Sequence, residues 1–406
     1  MRETGNRLRS AEILVICSVA LAPTVYGADK KPSFQYRFAE IAVPAASAGE
    51  RTLSPFSPEL ARDYVEKGAL AWTMGNKCVA CHTNGSYMVL RPMLTPYLGP
   101  PQSAIRDFFV SQLREQLKAD PSALQSDIGP AQVVYVAAGL AAWDANVAHR
   151  RSPETEQALD LMFKLQRDNG AWISNDCWPP FESSAFQLAT VAAWAVGTAP
   201  GWLGSEKATQ RRAPLDRLKT YLRTEPPLQG DYDRTALLWA SSKMPGLLDS
   251  TATADLEAMV FRHQTPDGGW SIRTFAKPEQ WGKGNRAEKL KSEPEFVNPP
   301  SDGHMTGLAI IALRGAGVPA NDPRLQRGIS WLLHNQRESG RWWTRSLNTD
   351  DWHFVTYSGT LYPLVALALC DALPQVAAQN PKKARTSGPF TGQLSKSGIA
   401  ASQERP

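Results

Sequence analysis

Cys78, Cys81 and His82 sit together in the stretch Lys77-Cys78-Val79-Ala80-Cys81-His82-Thr83-Asn84. Two thiols one short turn apart can each bond a vinyl group of one porphyrin. The adjacent imidazole is then held under the iron as its proximal ligand. C-x-x-C-H is therefore the attachment signature of a c-type haem. The motif occurs once, so it predicts a single covalent haem c with His82 on the iron. Two other chemistries use the same residues. One is a Cys78–Cys81 disulfide, which an oxidising compartment permits. The other is a zinc site, but no second C-x-x-C or paired-histidine motif supplies its remaining ligands. The position opposite His82 stays open among Met88, Met93, His304, His353 or no residue. Methionine there suits electron transfer, whereas histidine or an open site suits catalysis or sensing.

The rest of the chain reads as helical hairpins. A helix-period stretch runs to a turn containing Gly or Pro, and a more apolar helix follows. Six such pairs are predicted. The amphipathic members lie at about 58–74, 103–118, 154–166, 213–224, 252–264 and 322–336. Their partners lie at about 85–94, 130–145, 182–197, 231–244, 303–316 and 355–372. A helix that is apolar all round is buried and its amphipathic neighbour lies outside. Pro92 and Pro96 limit the first inner helix. No segment of useful length alternates as a strand does. The predicted fold is all-α, an α6/α6 toroid, because a closed ring hides the terminal faces that an open solenoid must cap.

That topology puts every outer-to-inner turn at one end of the ring. The first residues of the inner helices then surround one mouth: Glu182, Asp231, Asp233, Asp302, His304, Asp351 and His353. The C-x-x-C-H stretch occupies the equivalent turn of the first pair, beside the same mouth. Acids at helix starts also serve as caps and complement the helix dipole. His304 and His353 are not favoured caps, so they are candidates for ligand, base or hydrogen-bonding roles. Trp194 and Trp239 lie on inner helices, where they either line an apolar cavity or fill the core.

Three turns repeat one pattern: Gln166-x3-Gly170-x-Trp172, Gln264-x3-Gly268-Gly269-Trp270 and Gln336-x3-Gly340-x-Trp342. Glycine after a helix supplies a left-handed cap. The glutamine amide can bond groups left open at a helix end. These turns resemble the QW repeats of the squalene–hopene cyclase, oxidosqualene cyclase and protein prenyltransferase superfamily, and the resemblance covers most of 55–373. It implies the toroid and a cavity for an isoprenoid or other apolar ligand. Asp231-Tyr232-Asp233-Arg234-Thr235-Ala236 is similar to the D-x-D-D-T-A acid motif of the cyclases, which implies that Asp233 protonates an alkene. The departure is Arg234, which is expected to favour the ionised carboxylate and weaken Asp233 as an acid. The chain also resembles exported, planctomycete-type squalene cyclase-like proteins, in which a C-x-x-C-H-T-N-G segment precedes the toroid. In those proteins a W-P-P-x-E segment, here Trp178 to Glu182, follows a QW turn.

The formal charge is +5 over 406 residues. Residues 1–27 carry +1 and the tail from 375 carries +4, which leaves a neutral body. A neutral body does not replace phosphate counterions, so nucleic acid is not an expected partner. The basic tail gives at most peripheral contact with a membrane. Arginines followed by the apolar run Ile13–Ala22 read as a signal peptide over 1–27, cleaved near Gly27, with export to the periplasm. The predicted organisation is 28–54 a polar linker, 55–373 the toroid, and 374–406 a disordered basic tail. The expected function is a monohaem c-type redox protein or oxidoreductase with an apolar ligand beside the haem and a redox protein as partner. A terpene cyclase-like or prenyltransferase-like enzyme using an aspartic acid is one alternative. A non-catalytic binding or scaffold protein stapled by Cys78–Cys81 is another.

Overall fold

The computed structural model describes residues 33–176 and 178–375. The expected signal peptide and nearly all of the expected tail lie outside the described residues. Among the described residues, twelve principal helices form six pairs. The outer ones are α1 (Pro58–Asn76), α3 (Ser103–Lys118), α5 (Pro153–Lys164), α7 (Arg212–Thr224), α9 (Ser250–Arg262) and α11 (Pro323–Asn335). The inner ones are α2 (Ser86–Leu90), α4 (Gly129–Trp143), α6 (Ala185–Thr198), α8 (Asp231–Ser241), α10 (Gly303–Ala316) and α12 (Val355–Leu369). Each inner helix packs on the next, and α12 packs back on α2, so the ring closes. The pattern of burial explains the order. Helix α4 is buried from Val133 to Trp143, and α12 throughout Val355–Ala368. Helix α11 buries only Leu325, Gly328, Ile329 and Leu332, a single stripe.

The first inner helix is short for the reason its prolines predict. A wide turn over Cys81–Gly85 leads into α2, and a tight turn over Arg91–Leu94 follows at Pro92. Arg91 is buried there and donates to Glu66 Oε1 at 2.7 Å and to the Gly99 carbonyl at 3.0 Å.

The three QW turns share one geometry. Trp172, Trp270 and Trp342 are fully buried, and each Nε1 donates at 2.8 Å to a carbonyl ten residues back on its own outer helix: Met162, Val260 and Leu332. Each glutamine Nε2 donates twice, to the glycine carbonyl of its own turn and to the start of the next outer helix. The second acceptors are Pro214, Arg324 and Ser57. Gly170 has φ +93°, and a Cβ there would stand 2.3 Å from the Arg217 carbonyl. Gly340, at φ +87°, would meet Leu60 equally closely. These glycines let the turn lie directly on the next hairpin, an approach no side chain permits.

Gln336 makes the tie between the last hairpin and the first. It is fully buried, donates to Ser57 O at 2.8 Å and accepts from Ser57 N at 2.7 Å. The segment before α1 differs from the expected irregular linker. Strands β1 (Phe34–Phe38) and β2 (Ile41–Pro44) form an antiparallel hairpin. Its Gln35 donates to the Trp352 and His353 carbonyls, and Arg341 donates to Pro44 O and pairs with Glu50. Four or five residues of alternation were too few to register as a strand in the sequence.

Gln336→Ala strands the Ser57 amide and two carbonyls in the interior. It should lower unfolding free energy by about 1–3 kcal/mol, more than Gln166→Ala at the half-buried equivalent. Urea unfolding followed by helical circular dichroism checks the order.

Candidate functional site at the closed end of the ring

A cavity lies on the axis between the inner helices. It is lined by Ser86 and Leu90 of α2, Tyr135 of α4, Gln187, Val191 and Trp194 of α6, Tyr232 and Trp239 of α8, Leu308 of α10 and Tyr362 of α12, with Phe181 from the loop before α6. Its volume is about 40 Å³, which as it stands has room for a few waters. Trp194 and Trp239 therefore do line a cavity. Their rings meet at 5.4 Å, and Trp239 meets Tyr362 at 6.0 Å.

The end of the ring that carries the first residues of the inner helices is closed. His304 is fully buried in the first turn of α10. Its rim partners are Tyr232, Phe181 and Tyr362. The Ser358 hydroxyl donates to the Val355 carbonyl, so His304 Nδ1 donates to Ser358 Oγ at 2.8 Å and Nε2 accepts from Tyr232 at 3.0 Å. Burial holds the imidazole neutral, with its pKa lowered to about 3. Above Tyr232 lies Trp281, also buried, at 5.3 Å between ring centroids. Trp281 opens a charged, proline-containing insertion over 281–300, which is folded down rather than free. Arg273 pairs with Glu293 at 2.6 Å with both side chains buried, Arg345 with Asp350, and Lys283 with Asp176.

Glu182 and Asp233 stand at this closed end. Glu182 is 3% exposed, with φ +48° and an Oε1 that has no partner. Burial raises its pKa to about 8, with the nearby Asp127 and Asp176 adding to the effect. Asp233 accepts from Ser184 Oγ at 2.6 Å, and its other oxygen has no partner. Burial raises its pKa to about 6. The expected weakening by Arg234 does not occur. Arg234 turns to Asp231 at 2.8 Å, which also accepts from His263 Nε2 at 2.8 Å. That bond from His263, with Arg234, lowers the pKa of Asp231 instead.

The remaining acids and His353 separate from the site. Asp302 caps α10: it accepts from Met305 N at 2.9 Å, Ile272 N at 2.7 Å and Thr344 Oγ1 at 3.3 Å. Burial raises its pKa to about 6, but its oxygens are committed. Asp351 is exposed, and Asp231 faces an outer groove. His353 has φ +46° and accepts from Ser346 N through Nδ1, against Trp343. Equivalent sequence positions thus part because Asp302 is the N-cap of α10, whereas Asp351 and His353 lie in the loop before α12, which begins at Val355. Ser184, Asp176, Phe181 and Trp281 were missed by sequence reasoning. Only the W-P-P-x-E segment marked their neighbourhood.

The C-x-x-C-H turn abuts the cavity wall. Ser86 lines the cavity and donates to Cys81 O at 2.6 Å; Asn84 Oδ1 accepts from Ala80 N at 2.8 Å. A Cβ on Gly85 would stand 2.8 Å from Ala80 O and 3.0 Å from the Tyr135 ring. His82 stacks on Phe354 at 4.7 Å with its edge toward Trp72, and its Nδ1 bonds Thr83 Oγ1 at 2.8 Å. Burial lowers its pKa to about 4, so the ring is a neutral donor. Cys78 and Cys81 are half-buried. Two thiols on the rim and a neutral imidazole oriented through Nδ1 are the donors that a covalent haem requires. His304 does not serve as the opposite ligand, because both nitrogens are engaged. Cys370 is buried with a free thiol, and burial pushes its pKa to about 11. Among the described residues, no three His, Cys, Asp or Glu side chains are placed to hold a metal ion.

A closed ring of six helix pairs tied by QW turns is the toroid that the QW-turn resemblance implied. The chain is 25% identical over 245 residues to a squalene–hopene cyclase of Schizosaccharomyces japonicus, a match covering 55% of this chain and 36% of that one. The chain thus spans about a third of the length of the cyclase it matches. No family model matches. Among solved structures, type II terpene cyclase MstE from Scytonema aligns over 77% of this chain and 99% of its own, at 13% identity and TM-score 0.41. A glycosidase aligns over 78% and 97%, at 13% identity and TM-score 0.45. The superfamily resemblance read from the QW turns is supported by the cyclase match.

Glu182→Gln tests the buried acid. A carboxyl with a raised folded pKa contributes stability that is full below its ordinary pKa and lost as pH rises through about 8. Wild type should therefore lose on the order of 2–4 kcal/mol more than Glu182→Gln between pH 5 and 8.5. Chemical denaturation at fixed pH values measures the difference.

Proposed function

We propose that the chain binds an apolar, isoprenoid-type ligand in the central cavity and begins its chemistry by protonating an alkene from Asp233. The observation that carries this reading is the Asp233 carboxyl. It is buried at the closed end, its pKa is raised to about 6, one oxygen is held by Ser184 and the other has no partner. Burial favours the proton-bearing form of this carboxyl, which prevails below about pH 6. The hydroxyl of Ser184 then stabilises the carboxylate that remains. The proton adds to one alkene carbon and the other becomes a cation. A neighbouring alkene attacks it and closes a ring, and loss of a proton from the last cation restores the balance. Tyr232, Trp194, Trp239 and Tyr362 line the path and supply ring faces to the positive charge.

Two further facts support the reading. Asp233 is the position that matches the acid of the cyclase motif, and the similarity to a squalene–hopene cyclase extends over 245 residues. A ligand enters this narrow cavity by moving lining side chains aside, which favours a chain shorter than a triterpene.

The test is incubation with farnesol and with geranylgeraniol, followed by mass spectrometry of extracted products. Cyclised product should form, and Asp233→Asn should lower the yield by at least about a hundredfold. The rate should fall as pH rises through about 6, where the proton-bearing form of Asp233 is lost. Absence of product from both probes, or a yield indifferent to Asp233→Asn, contradicts the reading.

A second reading rests on the Thr83–His82 bond beside the half-buried thiols. Cys78 and Cys81 would anchor a haem c and His82 would ligate its iron. The group would supply one-electron chemistry, with a redox protein as partner. Coexpression with c-type maturation factors should add one haem to the intact mass, and Cys78→Ala/Cys81→Ala should remove it. A haem-free product under those conditions eliminates this reading.

A further inference from the structure

The cavity has a direction. Of its lining residues only Val191 and Trp239 are half-buried, and every other one is buried. They lie on neighbouring helices, α6 and α8, away from the acid end. At that end Phe181, Tyr232 and His304 form a layer of rings, covered by Trp281. From Tyr232 to Ala240 the axial rise of α8 is about 12 Å, so the cavity is a short blind tube. Tyr232 and His304 are fixed by their mutual hydrogen bond and by Ser358. Phe181 comes from a loop, and no hydrogen bond of its side chain holds it: it touches His304 edge to face at 5.5 Å. The next residue is Glu182, and Ser184 beyond it holds Asp233.

We infer that an apolar chain enters between Val191 and Trp239, and that Phe181 is the stop that sets the length of chain accepted. This rests on the proposed apolar ligand and adds its size and direction of entry. A chain entering at Val191 reaches the closed end with its terminus foremost. The end of the chain, rather than its middle, then reaches the ring layer at the acid end. Removing the Phe181 ring lengthens the tube toward Glu182. Adding bulk at Val191 obstructs the entry without touching the closed end.

The probes are geraniol, farnesol and geranylgeraniol, which share a head group and differ by one prenyl unit. Binding to the full chain is measured by calorimetry below their aggregation limits, and association rates by stopped-flow. Wild type should bind one of the shorter alcohols and discriminate against geranylgeraniol by about tenfold or more. Phe181→Ala should tighten geranylgeraniol by a similar factor and change geraniol little. Phe181→Leu, which keeps an apolar side chain of smaller reach, serves if the alanine variant does not fold. Val191→Trp should slow association of all three alcohols with the length preference kept. Equal affinity for all three, unchanged in the Phe181 variants, overturns the length assignment and leaves the apolar-ligand reading standing. Association unaffected by Val191→Trp overturns the entry route. Failure of every alcohol to bind wild type and both Phe181 variants overturns the apolar-ligand reading, and this inference with it.

Discussion

The contact on which the rest of the structure depends is the double hydrogen bond between Gln336 and Ser57. It joins the sixth hairpin to the first and turns a row of helices into a ring. The bond is local in form, since Gln166 and Gln264 make the same reach to the next hairpin. Its effect is global. Without closure, α2 and α12 would each expose an apolar side, and the inner helices would no longer enclose an axis. Glycine at the turn makes the reach possible, because the backbones of adjacent hairpins come too close there for a side chain.

Closure creates the conditions for unusual acids. The inner helices bring their first residues to one end, and two loops and a salt-bridged insertion cover them. Water is excluded, and carboxyls that would be ionised at the surface hold protons more tightly. Glu182 and Asp233 are raised, while Asp231, outside the cover and bonded by His263 and Arg234, is lowered. Three acids at the starts of two neighbouring inner helices thus differ in character because of where the ring places them. The same exclusion keeps His304 neutral and fixes its tautomer through Ser358.

The helical frame was legible because apolar periodicity and burial are local consequences of one another. The QW turns were legible because Gln, Gly and Trp each have one geometric use there. The separation of the seven candidate mouth residues was not legible. Asp302 became a fully bonded cap, Asp351 went to solvent and His353 went to the hairpin side of the wall, since loop paths decide these positions and periodicity does not. The direction of Arg234 was hidden for a related reason. Sequence adjacency to Asp233 favoured pairing with it, but residues i and i+1 on a helix do not face each other, whereas i and i+3 do. Phe181 and Trp281 carry no motif and show their role only when the tube they close is visible.

The measurement that tests the account most directly is the fate of one proton. The chain is incubated with farnesol in deuterium oxide buffered near pH 5.5, and the product is analysed by mass and deuterium NMR. The account predicts a cyclised product with one deuterium bonded to carbon at the chain terminus. Asp233→Asn should form none. Product lacking deuterium on carbon, or the same labelling in Asp233→Asn, would contradict proton donation by Asp233.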